Sequence, residues 1–142
     1  MRAWFAIVSL FIVGCSTGPD RDEAFLAAKA RWAAQNVSSY EIVVRRSCFC
    51  ATTDPVKVTV VNGQVTARVF TTDGQPVPAN LIAYYPDVPG LFDLVEDGYD
   101  RAASINVTFD AEYGFPVSTV IDYIANAVDD EVAISATGFV KQ

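Results

Sequence analysis

Histidine is absent from this sequence of 142 residues. Serine triads, cysteine–histidine dyads and the usual catalytic zinc sites all need an imidazole, so the sequence excludes these centres. Basic residues are also scarce, with 10 Lys and Arg against 17 Asp and Glu and a formal net charge of −7. A chain of that sign lacks the basic surface that binds phosphate backbones, and we do not expect nucleic acid as a partner.

Several cofactor motifs are missing as well, and the hydrophobic runs are short. No phosphate loop, dinucleotide fingerprint or Gly-x-Ser-x-Gly elbow occurs, and no cofactor is predicted. The longest apolar run, Ala3 to Val13, is broken only by Ser9 and is about half of the roughly 20 residues needed to cross a bilayer. Arg2 precedes the run and Gly14 follows it. This order is typical of a secretory signal peptide.

The end of the apolar run, Ile12-Val13-Gly14-Cys15, resembles a bacterial lipobox. In such a motif the cysteine is lipidated and becomes the first residue of the mature protein. The alternative is an ordinary cleaved signal in which Cys15 has no role. We expect a signal peptide over residues 1–14, lipidated Cys15 with a polar tether over 15–21, and one domain over 22–142.

The expected partners follow from this export signal. The lipid on Cys15 attaches the chain to the cell envelope, where an unknown envelope protein or ligand is the second partner. Ser16 favours the outer membrane if the host has one, because the retention signal for the inner membrane usually has aspartate at that position.

The periodicity of the mature chain predicts an α+β fold. Residues 22–35 are alanine-rich and place Phe25, Ala28 and Trp32 on one helical face. Period-two alternation from Tyr40 to Arg45 indicates a strand, and Asn62-Gly63 between two further alternating runs is a strong hairpin signal. Further strands are predicted at 56–60, 65–69, 105–109, 117–123 and 132–139, and a second helix at 91–103.

Short turns inside each group of three strands require antiparallel neighbours. We therefore predict an antiparallel sheet of about six strands with two helices on one face, in the order α-β-β-β-α-β-β-β. Residues 71–89 contain several prolines and read as a surface excursion. Tyr84 and Tyr85 in that excursion either form an exposed aromatic patch or cover the entrance to the second helix, and we favour the cover.

The sequence "RRSCFC" places Cys48 and Cys50 at the end of the first strand. In an oxidising compartment two nearby thiols are usually joined, but two residues in a straight strand are about 6.7 Å apart, at the limit for a disulfide. Three interpretations stay open: a structural disulfide or buried thiol pair, a redox-active pair beside Arg45 and Arg46, or a Cu(I) site. We favour the structural pair.

Carboxylates are concentrated around the last two turns, at Asp110, Glu112, Asp122, Asp129, Asp130 and Glu131. A suitably spaced pair could act in acid/base catalysis, and the run Asp-Asp-Glu could bind calcium, although the twelve-residue calcium loop is missing. Turn formation explains such residues in most domains, and we favour that explanation here.

Five segments of the chain occur in the order "YEIVVRRSCFC", "VKVTVVNGQV", "VPGLFDLV", "VTFDAEYGFPVSTVIDY" and "NAVDDEV". In this order they resemble a family of bacterial lipoproteins, domain of unknown function 6174. The resemblance implies export and lipidation but no established activity. It also implies that one shared design, structural or functional, includes Cys48, Cys50, Tyr113, Gly114, Pro116, Asp122, Asp129, Asp130 and Glu131.

These features favour a lipid-anchored, non-enzymatic binding module, with a thiol-redox or copper-handling lipoprotein as the alternative. The state of the two cysteines separates the two hypotheses. We expect Cys48 and Cys50 to be bridged and to resist reduction until the domain unfolds. Alkylation followed by intact-mass measurement across graded redox buffers checks this, with Cys15 removed. Cycling near the potential of the envelope, or stoichiometric copper binding by the folded protein, would contradict the structural interpretation.

Overall fold

The computed structural model describes residues 23–48, 54–127 and 130–142. Two helices, α1 Glu23–Ala34 and α2 Val88–Arg101, pack on one face of a single antiparallel sheet. The strands are β1 Tyr40–Ser47, β2 Val56–Val61, β3 Gln64–Phe70, β4 Ser104–Phe109, β5 Pro116–Asp122 and β6 Val132–Lys141. The predicted fold class and element order are confirmed.

The sheet consists of two three-stranded meanders joined at its centre. Its strand order is β3-β2-β1-β6-β5-β4, so the first and last strands of the chain are neighbours. In their ladder Val44 lies opposite Ala136 and Arg46 lies opposite Ile134. Among the strand pairs of the described residues, the β1–β6 ladder connects one meander to the other.

The face of β1 toward the helices carries the most completely buried side chains. Tyr40, Ile42 and Val44 are 2%, 0% and 0% exposed, and the valines that β2 directs to the same side are equally buried. Burying one such aliphatic side chain stabilises the fold by roughly 1.5–3 kcal/mol. The alternation predicted for these two strands is confirmed.

In β3 the sequence pattern misassigned the faces. Alternation placed Val65 and Ala67 on one face of this strand. A register shift in the β2–β3 ladder instead puts Val65 opposite buried Val60, while Ala67 lies on the other face. The shift also turns Arg68 toward the helices, where its Nε donates to the carbonyl oxygen of Tyr85 at 2.7 Å. A bulge adds one residue to a strand, so each side chain beyond it lies on the opposite face from the one that simple alternation predicts.

Helix α2 begins at Val88, three residues before the predicted start at Leu91. Oδ1 of Asp87 accepts from the amide of Gly90 at 3.1 Å, which is an N-cap bond. The amide of Val88 donates to Oη of Tyr40 at 3.0 Å, so the sheet satisfies a second free amide at this helix end. Burial raises the pKa of Tyr40 to about 12. These bonds anchor the start of α2 over the middle of the sheet.

Gly98 is a buried residue of α2, close to the end of the helix. A Cβ at this position would lie 2.6 Å from Cδ1 of Ile105 and 3.2 Å from Cδ1 of Ile121. Glycine therefore allows α2 to approach β4 and β5 closely. The cost of glycine in a helix, roughly 1 kcal/mol, is offset by this packing.

Helix α1 contributes an aromatic edge to the core. The ring of Phe25 lies 5.4 Å from that of Tyr99 on α2. Trp32 meets Tyr40 edge-on at 5.6 Å and Phe139 at 5.8 Å. The predicted helical face is confirmed. In the sequence, Asp20 and Glu23 have the spacing of a capping box, with aspartate in the place usually held by serine or threonine. Asp20 lies outside the described residues.

Neither helix in the described part of the chain has the length and hydropathy that crossing a membrane requires.

The β4–β5 turn packs directly against the backbone of α1. Gly114 in this turn has a φ of +87°, and a Cβ there would lie 2.5 Å from the carbonyl oxygen of Ala28. The side chains of Arg31 and Gln35 donate to carbonyl oxygens of the same turn at 3.4 Å and 3.2 Å. Close approach of two backbones and a left-handed conformation both require glycine here.

Gly114→Ala is expected to lower the free energy of unfolding by about 3 kcal/mol, because it combines left-handed strain with a backbone clash. Gly63→Ala is the matched control. Gly63 has a φ of +76° but nothing within 4 Å of the added Cβ, so only the strain of about 1–2 kcal/mol applies. Urea denaturation of both variants measures the difference, and equal losses would show that the approach to α1 costs nothing.

Candidate functional site

The residues singled out as a turn or binding surface lie at the two ends of β5. The first group is Tyr113, Gly114 and Pro116, and the second is Asp122, Asp130 and Glu131. A strand of seven residues is about 23 Å long, so the two groups do not line one site. Asp129 lies outside the described residues.

Within the first group, Tyr113 borders a cavity of about 500 Å³, the turn cavity, which is also lined by Asp110, Glu112 and Phe139 among others. Oδ1 of Asp110 accepts from the amides of Glu112 at 3.0 Å and Tyr113 at 2.6 Å, so this carboxylate organises the turn. Burial, and then the negative charge of Glu112, raise the pKa of Tyr113. The ring of Tyr113 lies 4.7 Å from that of Phe139. Most of these contacts build the turn and attach it to the core.

The second group also shows turn chemistry. Oδ1 of Asp122 accepts from the amide of Ile124 at 3.2 Å, and Oδ2 of Asp130 accepts from the same amide at 2.7 Å. Oδ1 of Asp130 is buried without a hydrogen-bond partner among the described residues. No group of three or more His, Cys, Asp or Glu in residues 23–48, 54–127 and 130–142 is placed to hold a metal ion.

A different cavity, of about 340 Å³, opens between α2, the end of β1 and the start of β6. We name it the Arg46 cavity. It combines charged, aromatic and apolar side chains, which is the usual composition of a ligand site. Its lining includes Arg46, Tyr84, Asp93, Leu94, Asp97, Val132 and Ile134.

Arg46 projects toward the helices because it shares the inward register of β1 with Val44 and lies opposite buried Ile134. Its guanidinium carbon lies 4.3 Å from the centroid of the Tyr84 ring, a cation–π contact. Its Nε is buried without a hydrogen-bond partner in the described chain. A buried donor left without an acceptor costs about 1–3 kcal/mol, and such groups concentrate at functional sites.

The adjacent tyrosines have opposite environments. Tyr85 is fully buried, its hydroxyl has no partner among the described residues, and burial raises its pKa. Tyr84 ends a short 3₁₀ turn, Ile82–Tyr84, and is 41% exposed over Arg46. Tyr85 is therefore part of the core, whereas Tyr84 forms part of the cavity wall. The predicted cover over the entrance to the second helix stays a prediction.

The α2 side of the cavity carries an acidic hydrogen-bond network. Asp97 pairs with Arg101 at 2.6 Å through Nε and accepts from Oη of Tyr123 at 3.0 Å. The hydrogen bond from Arg101 lowers the pKa of Asp97. Burial, and then Asp97, raise the pKa of Tyr123.

Opposite charges face each other across this cavity without pairing. Asp93 and Asp97 lie one turn apart on α2, and Arg46 lies on β1. Within the described residues, Arg46 forms no ion pair with either carboxylate. The cavity thus keeps a basic wall and an acidic wall separate.

Cys48 directly follows the last residue of β1 and is half-buried two positions beyond Arg46. Cys15 and Cys50 lie outside the described residues. The pairing of Cys48 with Cys50 therefore stays a prediction.

Sequence reasoning missed the Arg46 cavity. It considered Arg46 only as a charge beside a thiol and Tyr84 only as part of an aromatic patch or a cover. It gave Asp97 and Tyr123 no functional role. One signal was available, since Arg46 continues the inward series of Tyr40, Ile42 and Val44. An arginine at an inward position of an alternating strand marks a polar group that the fold must accommodate.

The family described as "Family of unknown function (DUF6174)" matches residues 24–141. The chain belongs to this family. The match runs from α1 to the end of β6 and so includes both cavities. It confirms the family resemblance read from the sequence. No curated protein and no solved structure gives a significant match to this chain.

Asp97→Asn is expected to lower the pKa of Tyr123, because the neutral amide removes the negative charge that disfavours the phenolate. Burial remains, so the pKa should stay above its ordinary value. The Cζ chemical shift of Tyr123 followed against pH measures the change. Asp93→Asn, one helical turn away, is the control and should have a smaller effect. An unchanged pKa in Asp97→Asn would contradict the hydrogen-bond network.

Proposed function

We propose that this chain is a lipid-anchored protein of the bacterial cell envelope that binds a ligand or partner and is not an enzyme. The lipobox-like segment ending at Cys15 supports the anchor. Seven residues separate Cys15 from Glu23, where α1 begins, and the eight Cα–Cα steps from Cys15 to Glu23 span at most about 28 Å. A lipid on Cys15 would therefore hold the domain close to the membrane surface.

The Arg46 cavity is the observation that carries the binding role. A folded domain stabilises itself most simply by pairing its buried donors and excluding charge from cavities. Here a guanidinium with an unpartnered Nε and two carboxylates are held around one open space. A ligand that pairs with the guanidinium and with a carboxylate explains why the fold maintains this arrangement.

We further infer that Cys48 and Cys50 form a structural disulfide. The two cysteines lie two positions apart in the sequence, and an oxidising compartment usually joins such neighbouring thiols, which supports this inference. Such a bond would secure the end of β1 beside Arg46. A redox or copper function for the pair requires sulfurs that are exposed and reducible in the folded protein, which the thiol measurement described above detects.

The anchor and the binding role can be tested together in cells. Wild-type protein is expected to incorporate labelled palmitate, to sediment with membranes and to yield a reproducible crosslinked envelope partner or ligand. Cys15→Ser should lose the label and leave the membrane fraction. Cys48→Ser is the control and should keep the label.

Labelling that is unchanged in Cys15→Ser would contradict the anchor. Absence of any reproducible crosslinked species from wild-type envelopes would count against the binding role. The two readouts are independent, so one part of the proposal can fail while the other stands.

A further inference from the structure

Charges of both signs line the Arg46 cavity, and this arrangement suits a ligand that carries one positive and one negative group. Arg46 presents its guanidinium from β1, and its planar set of donors matches a carboxylate. Asp93 and Asp97 present carboxylates from α2. Since no ion pair joins the two walls in the described residues, a molecule between them can meet both.

The two acidic residues are not equivalent. Asp97 already pairs with Arg101 and accepts from Tyr123, so much of its charge is compensated. Asp93 is an exposed residue of α2, and its side chain forms no hydrogen bond or ion pair with the described residues. Asp93 is therefore the better acceptor for a ligand cation. A multiply charged anion such as phosphate is disfavoured, because two carboxylates share the space with one arginine.

The remaining walls are apolar or aromatic. Leu94, Val132 and Ile134 line the floor, and the exposed ring of Tyr84 closes one side. The volume of about 340 Å³ lies at the small end of ligand pockets, which begin at roughly 300 Å³. A small molecule with an apolar body and two charged ends fits these walls.

We propose that the Arg46 cavity binds a free amino acid as its zwitterion, with the carboxylate on Arg46, the ammonium on Asp93 and an apolar side chain against Tyr84 and Leu94. This inference rests on the binding function proposed above and adds the class of ligand. A carboxylate alone would leave Asp93 without an ionic partner, and an ammonium alone would leave Arg46 without one. Recognition therefore depends on both charged groups in one molecule.

The test uses the full chain purified in detergent micelles, with ¹⁵N labelling to follow the Nε signal of Arg46. L-Phenylalanine is the probe. Two molecules with the same aromatic body serve as matched probes: 3-phenylpropanoate lacks the ammonium, and 2-phenylethylamine lacks the carboxylate. Phenylalanine is expected to shift the Arg46 signal with a Kd of about 1 mM or tighter, and each truncated probe to bind at least about tenfold more weakly.

Three variants locate the site. Arg46→Gln is expected to abolish detectable binding of phenylalanine, and Asp93→Asn to weaken it at least about threefold, a change of roughly 0.7 kcal/mol. Arg45→Gln is the control. Arg45 directly precedes Arg46 in β1 and lies on the other face of the sheet, opposite Ser135. Asp93 is exposed, so its variant tests the proposal even if Arg46→Gln fails to fold.

Equal affinity for 3-phenylpropanoate and phenylalanine would overturn the proposal, since the acidic wall would then take no part. Lack of any shift at Arg46 with phenylalanine would overturn it as well. Neither result removes the general binding function, because the crosslinking of envelopes tests that function independently of the ligand class. Loss of binding in Arg45→Gln would place the ligand on the wrong face and would also overturn the proposal.

Discussion

Pairing of β1 with β6 is the interaction on which the rest of the structure depends. The two strands are about a hundred residues apart in the sequence, with Tyr40 opposite Lys141. Closing such a long loop is entropically unfavourable, so the ladder forms stably only because side-chain burial accompanies it. Val44 and Ala136 are both buried where these two strands pair, and we call this β1–β6 ladder the seam. Without this seam, each meander would expose a hydrophobic face and an unpaired edge.

The same seam creates the candidate site. Arg46 and Ile134 are direct partners in the β1–β6 ladder, and both line the Arg46 cavity. Helix α2 crosses above them and contributes the acidic wall. The start of α2 is held by Tyr40, another residue of β1. Strand β1 therefore positions the base directly and the acids indirectly, which explains how charges from distant parts of the chain face one small space.

The buried polar groups near the Arg46 cavity lower the free energy of unfolding. Unpartnered buried atoms on Arg46 and Tyr85 each cost about 1–3 kcal/mol. The aromatic packing of α1, together with the anchoring of the β4–β5 turn at Gly114, helps offset that cost elsewhere in the fold. Separation of a stable region from a strained one is common in domains that bind ligands, because the binding groups must stay available. Membership of a family of unknown function adds a shared fold to this picture and leaves the chemistry to the site.

Sequence and tertiary structure determined different properties. Local periodicity and turn residues sufficed for both helices, the six strands and the Asn62-Gly63 hairpin, because these depend on neighbours in the chain. The side chains of β3 that point toward the helices could not be predicted from the sequence, because one bulge reverses the alternation along the strand. The role of Gly98 was missed because the residue that it accommodates lies on another element.

The site shows the same division. The sequence alone places an arginine at the end of β1 and acids on α2, but their meeting depends on a long-range strand pair and on the crossing of a helix. By contrast, the placement of the two acidic turns at opposite ends of β5, where backbone amides use their carboxylates, agrees with the strand and the turn chemistry predicted from the sequence. Local patterns encode elements because those interactions are short-range, whereas a binding cavity arises from contacts that no local pattern records.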